Sequence, residues 1–257
     1  MKRKKIVWYD DELNDDFAGN NIKTKHIPPD YEFVHKGLRW RLRAWFLYYV
    51  IAFPIVCFIS KVYLGLKIEN RKALRKIKGG FFLYGNHTRE LDAFLPAVVA
   101  FPKKAYIIAN PDAVSIPFLK TVVEMLGAVP IPDDFETMHR FVEAITERCR
   151  EGNAIAIFPE AHIWPFYTGI RNFSDTSFRY PAHENAPVVA MVTTYRKRLF
   201  FRRPAMTLTI SEPMYPDMSL PLPQRKKDLR DRTYSFMLKT SREKENIPYI
   251  IYKKRVS

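Results

Sequence analysis

A regular alternation of short apolar runs and longer amphipathic segments most constrains how this chain can fold. The runs FFLYG, AYIIAN, AVPIP and AIAIFP begin at residues 81, 105, 128 and 154, and a segment with helical periodicity follows each of the first three. Strands that alternate with helices of about ten residues indicate an α/β fold around a largely parallel sheet. Two later strand segments, at 186–195 and 205–216, have no helix between them. They predict an antiparallel pair at one end of a mixed sheet.

The chain length predicts one domain with additional segments at its amino end. With 257 residues, 47% of them hydrophobic, the chain is long enough for one substantial core. We predict an irregular strap over 1–35, a membrane-associating helical segment over 36–66 and an α/β domain over 67–257. The two cysteines, Cys57 and Cys149, lack metal-binding spacing and are far apart, which fits a reducing compartment.

The helical segment is the most hydrophobic part of the chain. About 16 uncharged, mostly apolar residues run from Ala44 to Ile59 with Pro54 among them, which is fewer than the ~20 that span a bilayer. Proline is expected to kink such a helix. Just upstream, four basic residues alternate with Leu38, Trp40 and Leu42; they are Lys36, Arg39, Arg41 and Arg43. This pattern favours an element that lies in, or dips into, an anionic membrane face, while a buried helical hairpin and a true span are the alternatives.

The net charge is consistent with that location but does not establish it. The chain carries 42 Lys and Arg against 27 Asp and Glu, a formal charge of +15. Such a charge attracts nucleic acid, anionic lipid or acidic substrates. A basic and aromatic segment, TYRKRLFFRRPAM, lies between the last two strand segments and predicts a tip that contacts lipid headgroups or an acidic carrier protein, or else an ordinary solvated turn.

A histidine follows the first strand in the stretch GGFFLYGNHTRELDAFLP. His87 and Asp92 would lie about 140° apart on a regular helix, so they meet only if His87 precedes the helix and folds back. A carboxylate that holds one imidazole nitrogen fixes the tautomer, and the other nitrogen then accepts a proton from a hydroxyl. The competing interpretation is a simple hydrogen bond at the helix end.

A second set of polar residues follows the strand AIAIF. Glu160 comes at the end of this strand, and His162, Trp164 and Arg171 follow it. Functional groups in such folds gather at the carboxyl ends of strands. Two strand ends with titratable groups therefore predict a shared cleft.

Together these motifs resemble the glycerolipid acyltransferase family typified by 1-acyl-glycerol-3-phosphate acyltransferase. Residues 86–92 read NHTRELD, which matches the family's Asn-His, four residues, Asp motif. Residues 158–160 match its Phe-Pro-Glu-Gly motif, with Ala161 in place of glycine. The segment at 186–189, APVV, resembles a further motif, and the whole resemblance covers residues 60–215.

The resemblance implies transfer of an acyl group from a thioester of coenzyme A or acyl carrier protein to a lysolipid hydroxyl. It implies that His87 is the general base and that Asp92 orients it, with no metal and no cofactor beyond the acyl co-substrate. Together with the basic and apolar helical segment, it leads us to expect a place on the cytoplasmic face of a membrane, peripheral or monotopic, with anionic lipids as partners and no nucleic acid. The residues assigned to substrate binding are Asn86, Arg89, Glu160, His162 and Arg171.

Two arginines of the family pattern are missing, and this puts the acceptor in question. Their places fall on Asp133 and Ile163. Since each charge-assisted hydrogen bond contributes roughly 1.5–3 kcal/mol, losing both would weaken binding of an acceptor phosphate strongly. Either another cation replaces them, or the acceptor is a different lysophospholipid or a glycolipid. The aromatic residues at 164, 166 and 167 would suit the sugar of a glycolipid, or else they only pack in the core. The candidate cations are Arg171, Arg179, Lys103 and Arg89.

Two other functional classes remain open from the sequence. A metal-dependent hydrolase would use His87, Asp92, Glu160 and His162 as ligands, although no HxH or HExxH pair organises them. A non-catalytic lipid-binding or nucleic-acid-binding module would use the positive charge, although the basic residues are scattered along the chain.

Overall fold

A seven-stranded sheet with helices on both faces forms the centre of the protein, which confirms the predicted mixed α/β fold. The computed structural model describes residues 5–18, 24–115, 119–198 and 203–255. The strands are β1 (Lys5–Tyr9), β2 (Lys67–Glu69), β3 (Phe81–Gly85), β4 (Ala105–Ala109), β5 (Ala128–Pro130), β6 (Ala154–Ile157), β7 (Val188–Arg196), β8 (Ala205–Ile210) and β9 (Ile250–Lys254). The helices are α1 (Leu38–Tyr63), α2 (Leu95–Ala100), α3 (Lys120–Met125), α4 (Phe135–Arg150), α5 (Arg179–Glu184) and α6 (Leu222–Glu243).

The strands of the large sheet lie in the order β2-β8-β7-β3-β6-β4-β5. All neighbours are parallel except β7 and β8, so the predicted antiparallel pair is confirmed. Its predicted place at one end of the sheet is wrong, because β2 pairs with the outer side of β8 and forms the edge. Every residue of β3 is buried, as expected for a central parallel strand covered on both faces.

Alternate side chains of the central strands divide the core into two layers. Phe82 and Tyr84 of β3 pack on the side of α4, α5 and α6, where Phe141 and Leu229 are fully buried. Phe81 and Leu83 point to the opposite face, towards α2 and the end of α1. This period-two alternation places successive side chains of each strand in different layers of the core.

The amino-terminal strap is not wholly irregular. Its β1 pairs in parallel with β9 at the other end of the chain, from Lys5 opposite Ile250 to Tyr9 opposite Lys254. The rings of Tyr9 and of Tyr252 on β9 contact Trp164, at centroid distances of 4.7 Å and 4.9 Å. The first and last segments therefore pack together against the loop that follows β6.

Helix α1 is one continuous helix of 26 residues that passes through Pro54. A π-helical turn, Phe46–Ala52, precedes the proline, and such turns accommodate breaks in the regular hydrogen-bond pattern. The most apolar 18-residue window has a mean hydropathy of 1.9 and is only 11% buried, so the helix is long and apolar enough to cross a membrane by length and composition alone. The alternative of a buried helical hairpin is wrong.

Candidate active site

The predicted site residues come together where β3 and β6 end at the same edge of the sheet, beside β7. β3 is bonded in parallel to both β6 and β7, so the residues that follow β3 and β6 are neighbours. His87 lies two residues beyond β3, and Glu160 lies three residues beyond β6. Asp92 lies in a 3₁₀ turn, Glu90–Phe94, that leads into α2.

His87 and Asp92 face each other, because His87 precedes the helical turn and folds back. The His87 Nδ1 atom is 3.5 Å from Asp92 Oδ2, and the two side chains are 14% and 1% exposed. Within the described chain, no group bonds the Nε2 atom of His87. The ring also stacks on Phe158, at a centroid distance of 4.4 Å and an angle of 21°. This contact fixes the plane of the imidazole with one nitrogen towards Asp92.

Asp92 is held by the main chain as well as lying beside the histidine. Its Oδ2 atom accepts hydrogen bonds from the amides of Thr88 (2.6 Å) and Arg89 (2.8 Å). These amides are free donors at the start of the turn, and a carboxylate satisfies them well. The helix-end hydrogen bond and the contact with His87 therefore occur together, and the cap fixes the orientation of the carboxylate.

Tyr195 and Thr88 extend this network, and the sequence interpretation missed both. The Tyr195 hydroxyl donates to Thr88 Oγ1 (2.7 Å). The Thr88 hydroxyl in turn donates to Asp92 Oδ2 (3.3 Å). Tyr195 is fully buried, and burial raises the pKa of its hydroxyl far above the ordinary value, so it remains a proton donor. The usable signal was a polar residue near the end of β7, whose carboxyl end lies beside that of β3.

Glu160 and Arg171 form a buried pair beneath the histidine. Both side chains are 1% exposed, and the guanidinium lies 3.4 Å from Glu160 Oε2. Glu160 also accepts hydrogen bonds from the amides of His87 (3.2 Å) and Arg171 (3.0 Å). Burial raises the pKa of Glu160, and the arginine partly offsets that rise. The two residues are out of reach of a substrate, so the predicted direct contact with substrate is corrected to a role in positioning His87.

Asn86 also differs from its predicted role in substrate binding. Its amide nitrogen donates to Thr193 O (3.1 Å) and its amide oxygen accepts from Thr193 N (2.8 Å). The side chain is buried and continues the pairing of β3 with β7 beyond the last backbone bond. Asn86 therefore fixes where β3 ends and how His87 leaves it.

The other two predicted substrate-binding residues are accessible. The Arg89 guanidinium lies over the ring of Phe166, 5.0 Å from its centre, and 5.9 Å from that of Tyr63 at the end of α1. His162 is half-exposed, and its Nδ1 atom is 3.7 Å from Asp16 Oδ2. Arg89 is three residues before Asp92 and is a cation beside the dyad that a ligand can approach.

The cations proposed to replace the missing arginines lie in different places. Arg171 is buried, Arg179 begins α5, and Lys103 donates to the carbonyls of Gly79 and Gly152 at the amino ends of the strands. Asp133 is exposed and contacts His26 at 2.7 Å. Of the four candidates, Arg89 is the one that lies near His87 without being buried.

Trp164 serves packing rather than binding a sugar. It is fully buried, and its indole N–H donates to Asp15 O (2.7 Å) in the amino-terminal strap. The guanidinium of Arg171 lies 5.0 Å from the centre of its ring.

The basic tip predicted at 196–203 falls partly outside the described residues, at 199–202.

The donor set does not fit the metal-hydrolase alternative. One oxygen of Glu160 accepts from the Arg171 amide, and the other accepts from His87 N and faces the Arg171 guanidinium. His162 is directed to Asp16 rather than to His87. A metal ligand needs a lone pair that points at a shared centre, and these side chains point elsewhere.

The geometry and the family comparison agree. The acyltransferase family matches residues 65–194, slightly more than half of the chain. The chain therefore belongs to the acyltransferase family and is an enzyme of the glycerolipid acyltransferase type. This confirms the resemblance carried by residues 86–92 and 158–160.

A solved structure shows the same fold at low sequence identity. It is the crystal structure of the 1-acyl-sn-glycerophosphate (LPA) acyltransferase PlsC from Thermotoga maritima, with a TM-score of 0.51 and 15% identity. The similarity covers 82% of this chain and 98% of that one. A comparison with curated proteins found no match.

Proposed function

We propose that this enzyme moves a fatty acyl group from an acyl thioester of coenzyme A or acyl carrier protein to the hydroxyl of a lysolipid at a membrane surface. The observation that carries the proposal is the His87–Asp92 pair, in which Nδ1 faces a buried carboxylate and Nε2 has no partner in the described chain. A base in this arrangement activates a hydroxyl rather than acting as a nucleophile itself.

The reaction follows from these positions. Nε2 of His87 takes the proton of the acceptor hydroxyl while its oxygen attacks the thioester carbonyl. The tetrahedral intermediate then collapses, the carbon–sulfur bond breaks, and the imidazolium returns its proton to the leaving thiolate. Asp92 stabilises the imidazolium throughout and keeps the ring in the productive tautomer.

An apolar cavity beside the dyad supports a fatty acyl substrate. Its volume is about 510 Å³, and it lies between α1 and the β4–β5 side of the sheet. Leu91 and Phe94, which flank Asp92 in its 3₁₀ turn, line it on one side, and Ile51, Ile55 and Ile59 of α1 line the other. A cavity of this size and composition suits a hydrocarbon chain.

The surface of α1 supports action on a membrane. Large apolar side chains are exposed along its whole length, among them Leu42, Phe46, Val50, Phe58 and Val62. A continuous apolar surface of this kind next to basic residues is typical of a helix that lies in an anionic interface.

Contacts along α1 favour this interfacial placement over a span. Near the middle of the helix, the Tyr49 hydroxyl donates to Pro102 O (3.0 Å) and the Tyr48 hydroxyl accepts from Ala105 N (3.0 Å). At the far end, Arg198 donates to the carbonyls of Val62 (3.1 Å) and Tyr63 (2.9 Å). Since the middle and the far end of the helix contact the same domain, we infer that the helix lies along the cytoplasmic face and holds the protein there as a peripheral or monotopic enzyme.

The acceptor headgroup is assigned to the neighbourhood of Arg89. With Asp133 and Ile163 at the places of the family arginines, a lysophosphatidic acid would rely on Arg89 for its phosphate. A lysophospholipid with a larger headgroup, or a glycolipid, is the alternative acceptor.

The decisive experiment measures transfer in anionic vesicles. Purified protein receives a long-chain acyl-coenzyme A or acyl carrier protein thioester and, separately, lysophosphatidic acid, other lysophospholipids and monoacyl glycolipids, with products detected by mass spectrometry. His87→Ala and Asp92→Asn should reduce turnover by about 10²–10⁴-fold, the usual contribution of general base catalysis. His139→Ala is the matched control, because His139 is exposed on α4.

Near-native turnover in His87→Ala would refute the dyad. Product from lysophosphatidic acid that falls sharply in Arg89→Met would support Arg89 as the phosphate ligand. If product forms only from another acceptor, Asp133 and Ile163 stand in place of the family arginines because the site binds a different headgroup.

A further inference from the structure

A second cavity lies at the opposite end of the sheet from His87. Its volume is about 480 Å³, and the amino-terminal strap, the first turns of α1 and the segment before β4 enclose it. Lys104 lies immediately before β4, whereas His87 lies after β3, and the strands between them are parallel. The proposed acyl transfer does not use this cavity.

Two cations in this cavity lie against the same aromatic ring. The Lys104 ammonium is 4.9 Å, and the Arg148 guanidinium carbon 5.1 Å, from the centre of Tyr106. Lys104 donates to Met125 O (2.8 Å), and in the described chain it has no carboxylate within ion-pair distance. Burial, together with Arg148, lowers the pKa of Lys104 to about 8. The pair therefore concentrates positive charge in a poorly solvated place.

The acidic residues of the cavity are already engaged. Glu151 pairs with Arg148 at 2.9 Å. Glu124 accepts from the Tyr31 hydroxyl (2.6 Å), and Glu32 contacts His35 at 3.0 Å. Since these groups have partners, none of them neutralises Lys104.

Two further donors lack partners. Arg41, on the first turns of α1, lines the cavity and forms no ion pair within the described chain. The Nε atom of Arg148 is buried, and no described group accepts its hydrogen. A buried donor without an acceptor is uncommon in folded proteins, and a ligand in this cavity would supply the acceptor.

The aromatic residues around the cavity are of the kind that favours a membrane surface. Trp45 is 58% exposed and lines the cavity together with Trp40 and Tyr49 on α1. Tryptophan and tyrosine favour the headgroup region of a bilayer, where one side of the ring is apolar and the other is wet.

We propose that this cavity binds the phosphate of an anionic phospholipid headgroup, held by Lys104, Arg148 and Arg41 against the ring of Tyr106. This assignment rests on the proposed membrane position of α1 but not on the acyl-transfer chemistry. A phosphate supplies acceptors for several cationic donors at once, so it can bond Arg148 Nε and Arg41 and also bring a negative charge to Lys104. Filling the cavity would also fasten α1 to β4, because Tyr48, which bonds the amide of Ala105, lies under the Lys104 ammonium.

The test measures binding of soluble dihexanoylphosphatidylglycerol to the full chain by calorimetry, without any thioester donor. We use the His87→Ala protein as the background, so that failure of acyl transfer leaves the result readable. Lys104→Met should weaken binding by about tenfold or more, as expected for loss of a charge-assisted hydrogen bond. Lys72→Met is the matched control, because Lys72 is exposed and its substitution removes the same charge. This control substitution should change binding less than twofold.

Two further measurements keep the outcome clear. Arg41→Met should also weaken binding, and because Arg41 is exposed on the surface of α1, this variant decides the matter if Lys104→Met fails to fold. Inorganic phosphate and dihexanoylphosphatidylcholine are the comparison ligands. Equal binding by the Lys104 and Lys72 variants, or inorganic phosphate that binds as tightly as the lipid, would overturn the proposal.

Discussion

The buried Glu160–Arg171 pair offers the sharpest test of how the site is built, through Arg171→Met. At 3.4 Å, two unit charges attract each other by about 5 kcal/mol at an effective dielectric constant of about 20. Taking two ions out of water costs several kcal/mol each, so the intact pair contributes little net stability. Removing only the arginine leaves that cost uncompensated, and about 3–5 kcal/mol of unfolding free energy should be lost.

The pH dependence of this loss has a definite sign. Burial already raises the pKa of Glu160, and without Arg171 it should rise further. A carboxyl group with a raised pKa in the folded state binds more protons when folded, so its contribution to stability falls as the pH rises above the unfolded value of about 4.5. The deficit of Arg171→Met relative to wild type should therefore be larger at pH 8 than at pH 5.

Urea unfolding followed by circular dichroism at both pH values measures these quantities. The double variant Arg171→Met with Glu160→Gln removes both charges and should regain most of the stability lost at pH 8, although His162 O and Glu12 O then lose their donor. Arg255→Met is the control, because its pair with Asp10 is exposed on both sides, and it should cost less than about 1 kcal/mol.

Two results would contradict the reasoning about this pair. One is a loss below about 1 kcal/mol in Arg171→Met, which would mean that water reaches Glu160. The other is a double variant no more stable than the single one, which would mean that packing or the lost carbonyl contacts, rather than an unpaired charge, sets the loss.

Three other substitutions test neighbouring parts of the structure. Tyr195→Phe removes the hydroxyl that donates to Thr88, so turnover should fall by about 3–30-fold, with KM nearly unchanged and the pH profile of turnover displaced. An unchanged pH profile would exclude a positioning role for Tyr195. Ala161 has a φ of 63°, so Ala161→Val should lower the free energy of unfolding, measured with urea, by about 2 kcal/mol. Ala161→Gly should change the free energy of unfolding by less than about 1 kcal/mol, and equal effects of the two substitutions would refute strain at this position. Ile55→Trp narrows the apolar cavity and should shift acyl preference towards shorter chains in a competition assay, and an unchanged product distribution would place the acyl chain elsewhere.

The sequence predicted those parts of the site that depend on local order. The fully apolar run of β3 and the Gly85-Asn86 break after it located His87 at a strand end. The five-residue spacing then required His87 to fold back onto Asp92, and the 3.5 Å contact follows from that geometry. The relative direction of neighbouring strands was equally accessible wherever a helix, or the absence of one, separated two apolar runs.

What the sequence did not reveal depends on contacts between distant segments. β2 has three residues and β1 finds its partner at the other end of the chain, so neither carries a local pattern long enough to recognise. Glu160 and Arg171 looked like substrate ligands because residue type does not indicate depth below the surface. Their burial results from the strap and the loop after β6 packing over them, which only the three-dimensional fold determines.

Buried polar contacts surround the His87–Asp92 pair and hold the main chain beside it. The β6 loop reaches the main chain of residues 87 and 88 from one side, through Glu160 and through the amides of Trp164 (3.2 Å to His87 O) and Phe166 (3.0 Å to Thr88 O). β7 reaches the same segment from the other side through Thr193, which bonds Asn86. Each of these contacts acts on the backbone or on a neighbouring residue, so the imidazole is positioned while its Nε2 remains available. A general base must be held within a few tenths of an ångström of a bound hydroxyl, and a ring that is fixed through its main chain meets that requirement without engaging Nε2, the nitrogen proposed to take the proton.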